Sequence, residues 1–447
     1  SSCGVSPDDL VVEDTPKGEW LFYRGVEVGQ KTTDLIPTLF KTVMDKLPIA
    51  KRMRWGDRTD SFMRPVVSLV MLWNDDVIDT ELFGVKSSRT TIGHRFHGEK
   101  TVDIADVMSY EQTLASSYVV ADIDTRKEMI IEQVTHLVSE IATDGENNAV
   151  AVINDDVLDE VNALVEYPVA ILGQFNPRYL HIPQEVLIKT MQDNQKYFAV
   201  VDDNDEILPY FVTVSNIESN NPEVVRVGNQ RVIEPRFADA EFFWENDKKK
   251  SLESRREDLK KVVYQEKLGS VYDRSERIAK IANFIADLSG LNDSNAIRAA
   301  QLAKCDLVSE MVFEFGELQG VIGEYYAKND GENDEVAAAI REHYLPKFAG
   351  DNLPETDTGL VVSLADKIEN IVGGFAVGAK PTGTKDPYAL RRASLGVIRL
   401  LNETKLDLPL EVLLDYAVEA FNSVTDVDAV SQVDEIKTYI TERLKGY

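Results

Sequence analysis

At Pro222 the pattern of the chain changes, and that change limits the fold more than any single motif does. Upstream, β-rich runs mix irregularly with helical segments; downstream, strand signals fade and one helical period follows another. In the upstream part, Pro65–Trp73 and Val77–Val85 read as a hairpin about the turn-forming Asn74, Asp75 and Asp76. A helix is expected over residues 124–143, with Ile130, Val134, Leu137 and Ile141 at helical spacing, Asp124 as N-cap and Gly145 past its end. EYPVAILGQF reads as a strand, PQEVLIKTMQDN as a helix opened by Pro183, and KYFAVVD with ILPYFVTV as a second hairpin. The regular βαβ rhythm of a doubly wound sheet is missing, so residues 1–221 are expected to form a mixed α+β module. Residues 222–264 read as a charged helical linker kinked at Pro235, and residues 265–447 as an all-α domain.

Charge bears on partners. The chain has 48 Lys and Arg against 77 Asp and Glu, a net charge of −29, so on average it repels polyanions. Exposed charges act over only about 8 Å at physiological salt, however, so local clusters decide what binds. KRMRWGDRTD gathers Lys51, Arg52, Arg54 and Arg58 around Trp55, with Arg64 close behind. GVKSSRTTIGHRFHG adds Lys86, Arg89, His94, Arg95 and His97, and a third group holds Lys385, Arg391 and Arg392. Trp55 reads as a core anchor in preference to a stacking platform for an unpaired base. Asp386 is a candidate partner for one of the two adjacent arginines. The run Lys248–Lys261 is nearly balanced by Glu245, Asp247, Glu253, Glu257 and Asp258, and reads as a solvated helix face with i,i+4 pairs. Cys3 and Cys305 form no ligand-like pair, which fits a reducing compartment. No apolar run, Val66–Trp73 included, is long enough to span a bilayer.

Motifs narrow the chemistry further. There is no GxxxxGK[ST] phosphate loop, no GxGxxG and no GxSxG elbow. His94 and His97 stand three apart in a loop with Lys86, Arg89, Arg95 and Lys100 around them and Glu99 as the one carboxylate within it. A metal site, an anion or RNA contact and a plain structural loop all remain open there; the cations favour phosphate over a metal ion. RSERIAKIA, LAKCDLVSEM and SLADKIENI resemble the helical motifs of the HD phosphohydrolase superfamily, in which histidines and aspartates hold metal ions. On that resemblance Asp306 and Asp366 match two ligands, while Cys305 and Arg274 stand where the family has histidines. A guanidinium cannot ligate a metal, so a degenerate HD-type domain is implied, with Arg274 free to neutralise Asp306 or Asp366. A metal-dependent HD phosphohydrolase is the alternative reading.

A longer resemblance covers nearly the whole chain. DLVVEDTPKGEWLF, LPIAKRMRWGDRTDSFMRPV, GVKSSRTTIGHRFHG, YPVAILGQF, PQEVLIKTMQDNQKYF, VVYQEKLGSVYDRSERI, MVFEFGELQGVIGEYYA and PTGTKDPYALRRASLGVIRLL are similar to the β subunits of bacterial two-subunit glycyl-tRNA synthetases. The resemblance implies an upstream module like the editing domain of the phenylalanyl enzyme's β subunit, then the degenerate HD-type domain. It also implies a central fragment, with further N-terminal sequence and a helical anticodon-binding domain lying outside this chain. By the same resemblance an α subunit uses ATP and Mg to form the adenylate, and the cytoplasmic α2β2 assembly charges the tRNA for glycine. The β chain would then bind tRNA through the three cation groups, with no catalytic residue, metal or cofactor of its own.

Overall fold

The computed structural model describes residues 6, 10–16, 18–23, 25, 29–141, 148–422, 427, 429 and 432–447. A mixed β/α region precedes a mostly helical one, as the change of pattern predicts. By contact the chain forms two compact units: Ser1–Ile130 with Asn162–Val169 and Ser215–Glu218, and Ile131–Val161 with Ala170–Val214 and Ser219–Tyr447.

In the first unit, the helix Thr32–Lys46 lays Ile36 and Phe40 on a small core of Leu69, Met71 and Ile78. The expected long hairpin is instead a series of short ladders. Leu72–Trp73 pairs antiparallel with Asp76–Val77, and Glu81–Leu82 pairs with Val85–Lys86. The turn at Asn74 is where the sequence placed it, but a second reversal at Phe83 (φ 54) and Gly84 (φ 75) cuts the second strand in two. Left-handed backbone at consecutive residues is the signature of a tight hairpin turn, and glycine supplies one of them freely. A second small core joins Val102, Ile104 and Leu114. The next helix runs Ile123–Ser139, and Asp122, not Asp124, caps it by accepting the Thr125 N–H at 2.7 Å. Gly145, expected past its end, lies outside the described residues.

The second unit holds a four-stranded sheet in the order Val150–Val152, Phe198–Val201, Ile207–Ser215, Val169–Gln174. The Phe198–Val201 and Ile207–Ser215 pair is the second expected hairpin. One continuous core joins the helices Val271–Ser289, Asp293–Leu302, Val321–Asn329, Asp334–Glu342, Asp357–Ala376, Leu390–Glu403, Leu410–Asn422 and Val433–Leu444. Their ends carry ordinary stop and start chemistry. Ser270 and Asp273 form a capping box, and Gly290 closes the same helix at φ 67. The stretch read as a linker contributes to this core. Its helix Pro222–Asp247 runs on through Pro235 and buries Ile233, Phe237, Ala240 and Trp244 along one stripe. The charged run after it pairs at i,i+3 (Lys248 with Glu245, Lys260 with Glu257, Lys261 with Asp258), not at i,i+4. Two of its charges, Asp247 and Arg255, are buried and bonded to each other at 2.9 Å.

Candidate functional site

The expected RNA-facing cations divide by what they already hold. Arg52 is a clasp: it donates to the carbonyls of Met44 (2.9 Å), Asp45 (3.1 Å), Leu47 (3.4 Å) and Ser61 (3.1 Å). It thereby satisfies the orphan carbonyls at the end of the first helix, where a cation also suits the helix dipole. Arg58 bonds Asp60 at 2.9 Å and lies over Gly84, where a Cβ would stand 2.2 Å from its guanidinium carbon. Arg89 ties Asp75 O (2.7 Å) to Ala105 O (2.8 Å), and Arg391 donates to Gly383 O at 2.6 Å. Asp386 caps the backbone, accepting the N–H groups of Leu390 and Arg391 at 2.8 and 3.0 Å. Lys51, Arg54, Arg64, Lys86, Arg95, Lys385 and Arg392 are exposed and make no ion pair among the described residues. Trp55 packs on Phe83, which also touches Phe62, so it anchors its stretch.

The GHRFHG loop is held from below. His94 is 1% exposed, which corrects its expected place on the RNA-facing surface. Its Nδ1 accepts the N–H groups of Phe96 (3.3 Å) and His97 (3.2 Å), so the proton sits on Nε2, which donates to Asn216 O at 2.7 Å. His97 stacks on His94 at 5.0 Å and its Nε2 accepts the Glu218 N–H at 3.0 Å. Three of the four ring nitrogens are thus used, and the fourth, His97 Nδ1, carries the proton because Nε2 accepts, so neither neutral ring offers a metal a free lone pair. Gly98 is required by close approach: a Cβ there would lie 2.4 Å from both His94 N and Ser117 O. The tip of this fixed loop offers Arg95 and Phe96, the phenyl ring 68% exposed with the guanidinium 5.9 Å from its centre. Phe96 was missed in the sequence because an aromatic between two histidines has no periodicity to mark it as exposed.

The positions compared with HD ligands have parted company. Arg274 pairs with Asp366 (3.1 Å) and Glu369 (2.9 Å), and Arg277 with Glu369 (2.9 Å). Lys304 bridges Asp366 Oδ1 (3.2 Å) and His343 Nε2 (2.7 Å), while His343 Nδ1–H donates to Ile340 O (2.7 Å). Burial and then Lys304 push the His343 imidazole well below its usual range, so it stays neutral. Burial alone would raise the Asp366 carboxyl, but Lys304 and Arg274 hold it well below the ordinary value. Cys305 is buried against Gln301 O (3.5 Å), and burial pushes its thiol up, away from reactivity. Asp306 faces other neighbours: its Oδ2 accepts the N–H groups of Gly320 (2.5 Å) and Gly323 (3.2 Å). Among the described residues, no three His, Cys, Asp or Glu side chains are grouped to hold a metal ion. The cations occupy the carboxylates, which argues against the phosphohydrolase reading. Lys304, His343, Glu369 and Arg277 were not picked out beforehand. Their one sequence signal is matched spacing: Arg274/Arg277 and Asp366/Glu369 each sit three apart on largely apolar helices.

Asp306 gives a pH signature. Burial raises its carboxyl from 3.8 to about 6, against the two glycine N–H groups. A raised carboxyl contributes stability that is full below the unfolded value, near 3.8, and lost as pH climbs through about 6. Asp306→Asn cannot ionise and does not suffer that loss. The stability of the variant relative to wild type should therefore rise between about pH 3.5 and 6.5, on the order of 2–3 kcal/mol. Urea melts across that range check it; a flat difference means that Asp306 titrates normally.

Comparison with known proteins places these features. Along residues 1–447 the chain matches the model of one aminoacyl-tRNA synthetase family, described as glycyl-tRNA synthetase beta subunit. A glycine–tRNA ligase beta subunit of Chromohalobacter salexigens is 47% identical over 446 residues, covering 100% of this chain and 64% of the relative. Those of Dichelobacter nodosus and Hahella chejuensis are each 46% identical over 447 residues, covering 64% and 63% of the relatives. The chain belongs to the glycyl-tRNA synthetase β-subunit family. It spans less than two thirds of the length of these relatives. No described helix is long and apolar enough to cross a membrane.

Proposed function

We infer that this chain is the tRNA-binding, non-adenylating part of a glycine–tRNA ligase. It acts with an α subunit that holds ATP, Mg and glycine, in a cytoplasmic α2β2 assembly. The observation that carries this reading is the 47% identity over the whole chain to a relative named as that ligase's beta subunit. The upstream region is read as the editing-like module. The helical region is read as HD-type, its ligand positions Arg274, Cys305, Asp306 and Asp366 turned to packing and charge balance.

The RNA-facing surface is then narrower than the cation count. Lys51, Arg54, Arg64 and Lys86 are exposed in the first unit and free to meet phosphates. Arg95 and Phe96 add a cation beside an exposed ring, the pairing that holds an unpaired base. Lys385 and Arg392 are the exposed cations of the third group. Filter binding of the tRNA for glycine tests this. Affinity should fall steeply between about 50 and 200 mM salt. Arg95→Ala should reduce the slope of that fall by about 1. Phe96→Ala should cost about 1–3 kcal/mol of binding without a matching change in salt slope. Unchanged binding in both variants removes the loop from the interface. Absence of salt-dependent binding in every form, full-length β subunit with α included, sinks the reading as a whole.

A further inference from the structure

A cavity of about 510 Å³ opens in the second unit beside the buried charge cluster, between the helices Asp357–Ala376 and Leu390–Glu403. Its charged lining is unbalanced. Both carboxylates are already held: Asp366 by Arg274 (3.1 Å) and Lys304 (3.2 Å), and Glu317 by Lys189. The cations are not. Lys347 and Arg392 are exposed with no ion pair among the described residues. Lys367 is only 6% exposed, yet its Nζ meets only neutral acceptors, Leu345 O at 2.6 Å, Ser363 Oγ at 2.9 Å and, most loosely, His343 O at 3.4 Å, the bond an incoming anion would replace. Its stem reaches that position over Gly396, where a Cβ would stand 2.6 Å from the Lys367 Cε. Any larger residue at 396 would displace the ammonium. Burial, only partly offset by Asp366, pushes this ammonium down to about 7. A buried cation with no direct ion pair is costly, and a bound anion lowers that cost.

We propose that the cavity binds a phosphate monoester, its phosphoryl oxygens held by Lys347, Lys367 and Arg392 and its organic part lying against Tyr344 and Pro346. Arginine forks and lysine ammoniums are the side chains suited to phosphoryl oxygens. The volume exceeds what a bare phosphate fills, and falls in the range of small-molecule sites, about 300–1,000 Å³. The proposal shares Arg392 with the tRNA reading but is tested apart from it, because Lys347 and Lys367 belong to no expected RNA-facing group and the ligand is a small molecule.

Calorimetric titration with adenosine 5′-monophosphate, adenosine and inorganic phosphate tests it. The monophosphate should bind at least about tenfold more tightly than adenosine, and inorganic phosphate should compete with it. A K347A/R392A variant, altered only at exposed positions, should lose about tenfold or more in affinity and melt at the wild-type temperature. Lys367→Met should abolish binding. Equal binding of adenosine, undiminished binding by the double variant, or phosphate binding with none of the monophosphate each overturns the proposal.

Discussion

Replacing Glu369 with Gln is expected to cost about 3–5 kcal/mol of folding stability, the cost of breaking a buried ion pair from one side. Glu369 is fully buried on the Asp357–Ala376 helix and is the acceptor for Arg274 (2.9 Å) and Arg277 (2.9 Å). Arg277 is itself fully buried, so it cannot turn to water when the carboxylate is neutralised. The loss should persist in high salt, because screening acts on exposed charges. Paired replacement of Arg277 by Met and Glu369 by Leu should recover much of it, since the leftover charge and not the missing bond dominates. Urea unfolding of the three proteins reads this directly. A single variant within about 1 kcal/mol of wild type would show that the cluster rearranges or admits water.

Asp247 is the second position where one substitution should do great harm. Its carboxylate is 2% exposed and accepts from Arg255 (2.9 Å), the N–H groups of Glu310 (3.1 Å) and Met311 (2.9 Å), and the Tyr326 hydroxyl (2.8 Å). Burial and Asp247 together push the Tyr326 hydroxyl well up, which keeps it a donor. Asp247→Ala strands four donors at once and is expected to cost about 3–5 kcal/mol. Asp247→Asn keeps one oxygen for the backbone but not the charge that Arg255 needs, and should fall between. Hydrogen exchange distinguishes this from general loosening. The amides of Glu310 and Met311 should exchange faster in Asp247→Ala, beyond the change seen in the Leu390–Glu403 helix. Equal acceleration everywhere would contradict the capping role.

The helices after residue 265 were legible because an apolar stripe at helical spacing is a local property. The 222–247 stripe was equally local, but its charges hid it: Ile233, Phe237, Ala240 and Trp244 repeat at helical spacing within a segment that reads as solvated. The ties of Arg52 and Arg89 were not legible, because whether a guanidinium meets a carbonyl or a phosphate depends on where distant backbone passes. His94 misled for the same reason. Its loop looks like an exposed basic turn, while Asn216, 122 residues on, supplies the acceptor that draws the ring inward. The pairing of Arg274 with Asp366 was one of the two that the HD resemblance offered, Asp306 being the other. The part of Lys304 and His343 in it could not be foreseen, since they come from segments 39 residues apart.

The cluster about Asp366 and Glu369 has a consequence for how the fold responds to its surroundings. Among the described residues, the positive charges paired with these two carboxylates are tethered to the same chain, on Arg274, Arg277 and Lys304. A site filled by a dissolved ion gains stability in proportion to the logarithm of that ion's concentration, and loses it when a chelator competes. Tethered charges have no concentration to vary. The charge balance of this cluster is therefore supplied by the chain's own residues, in a fixed ratio that no change in ion concentration alters.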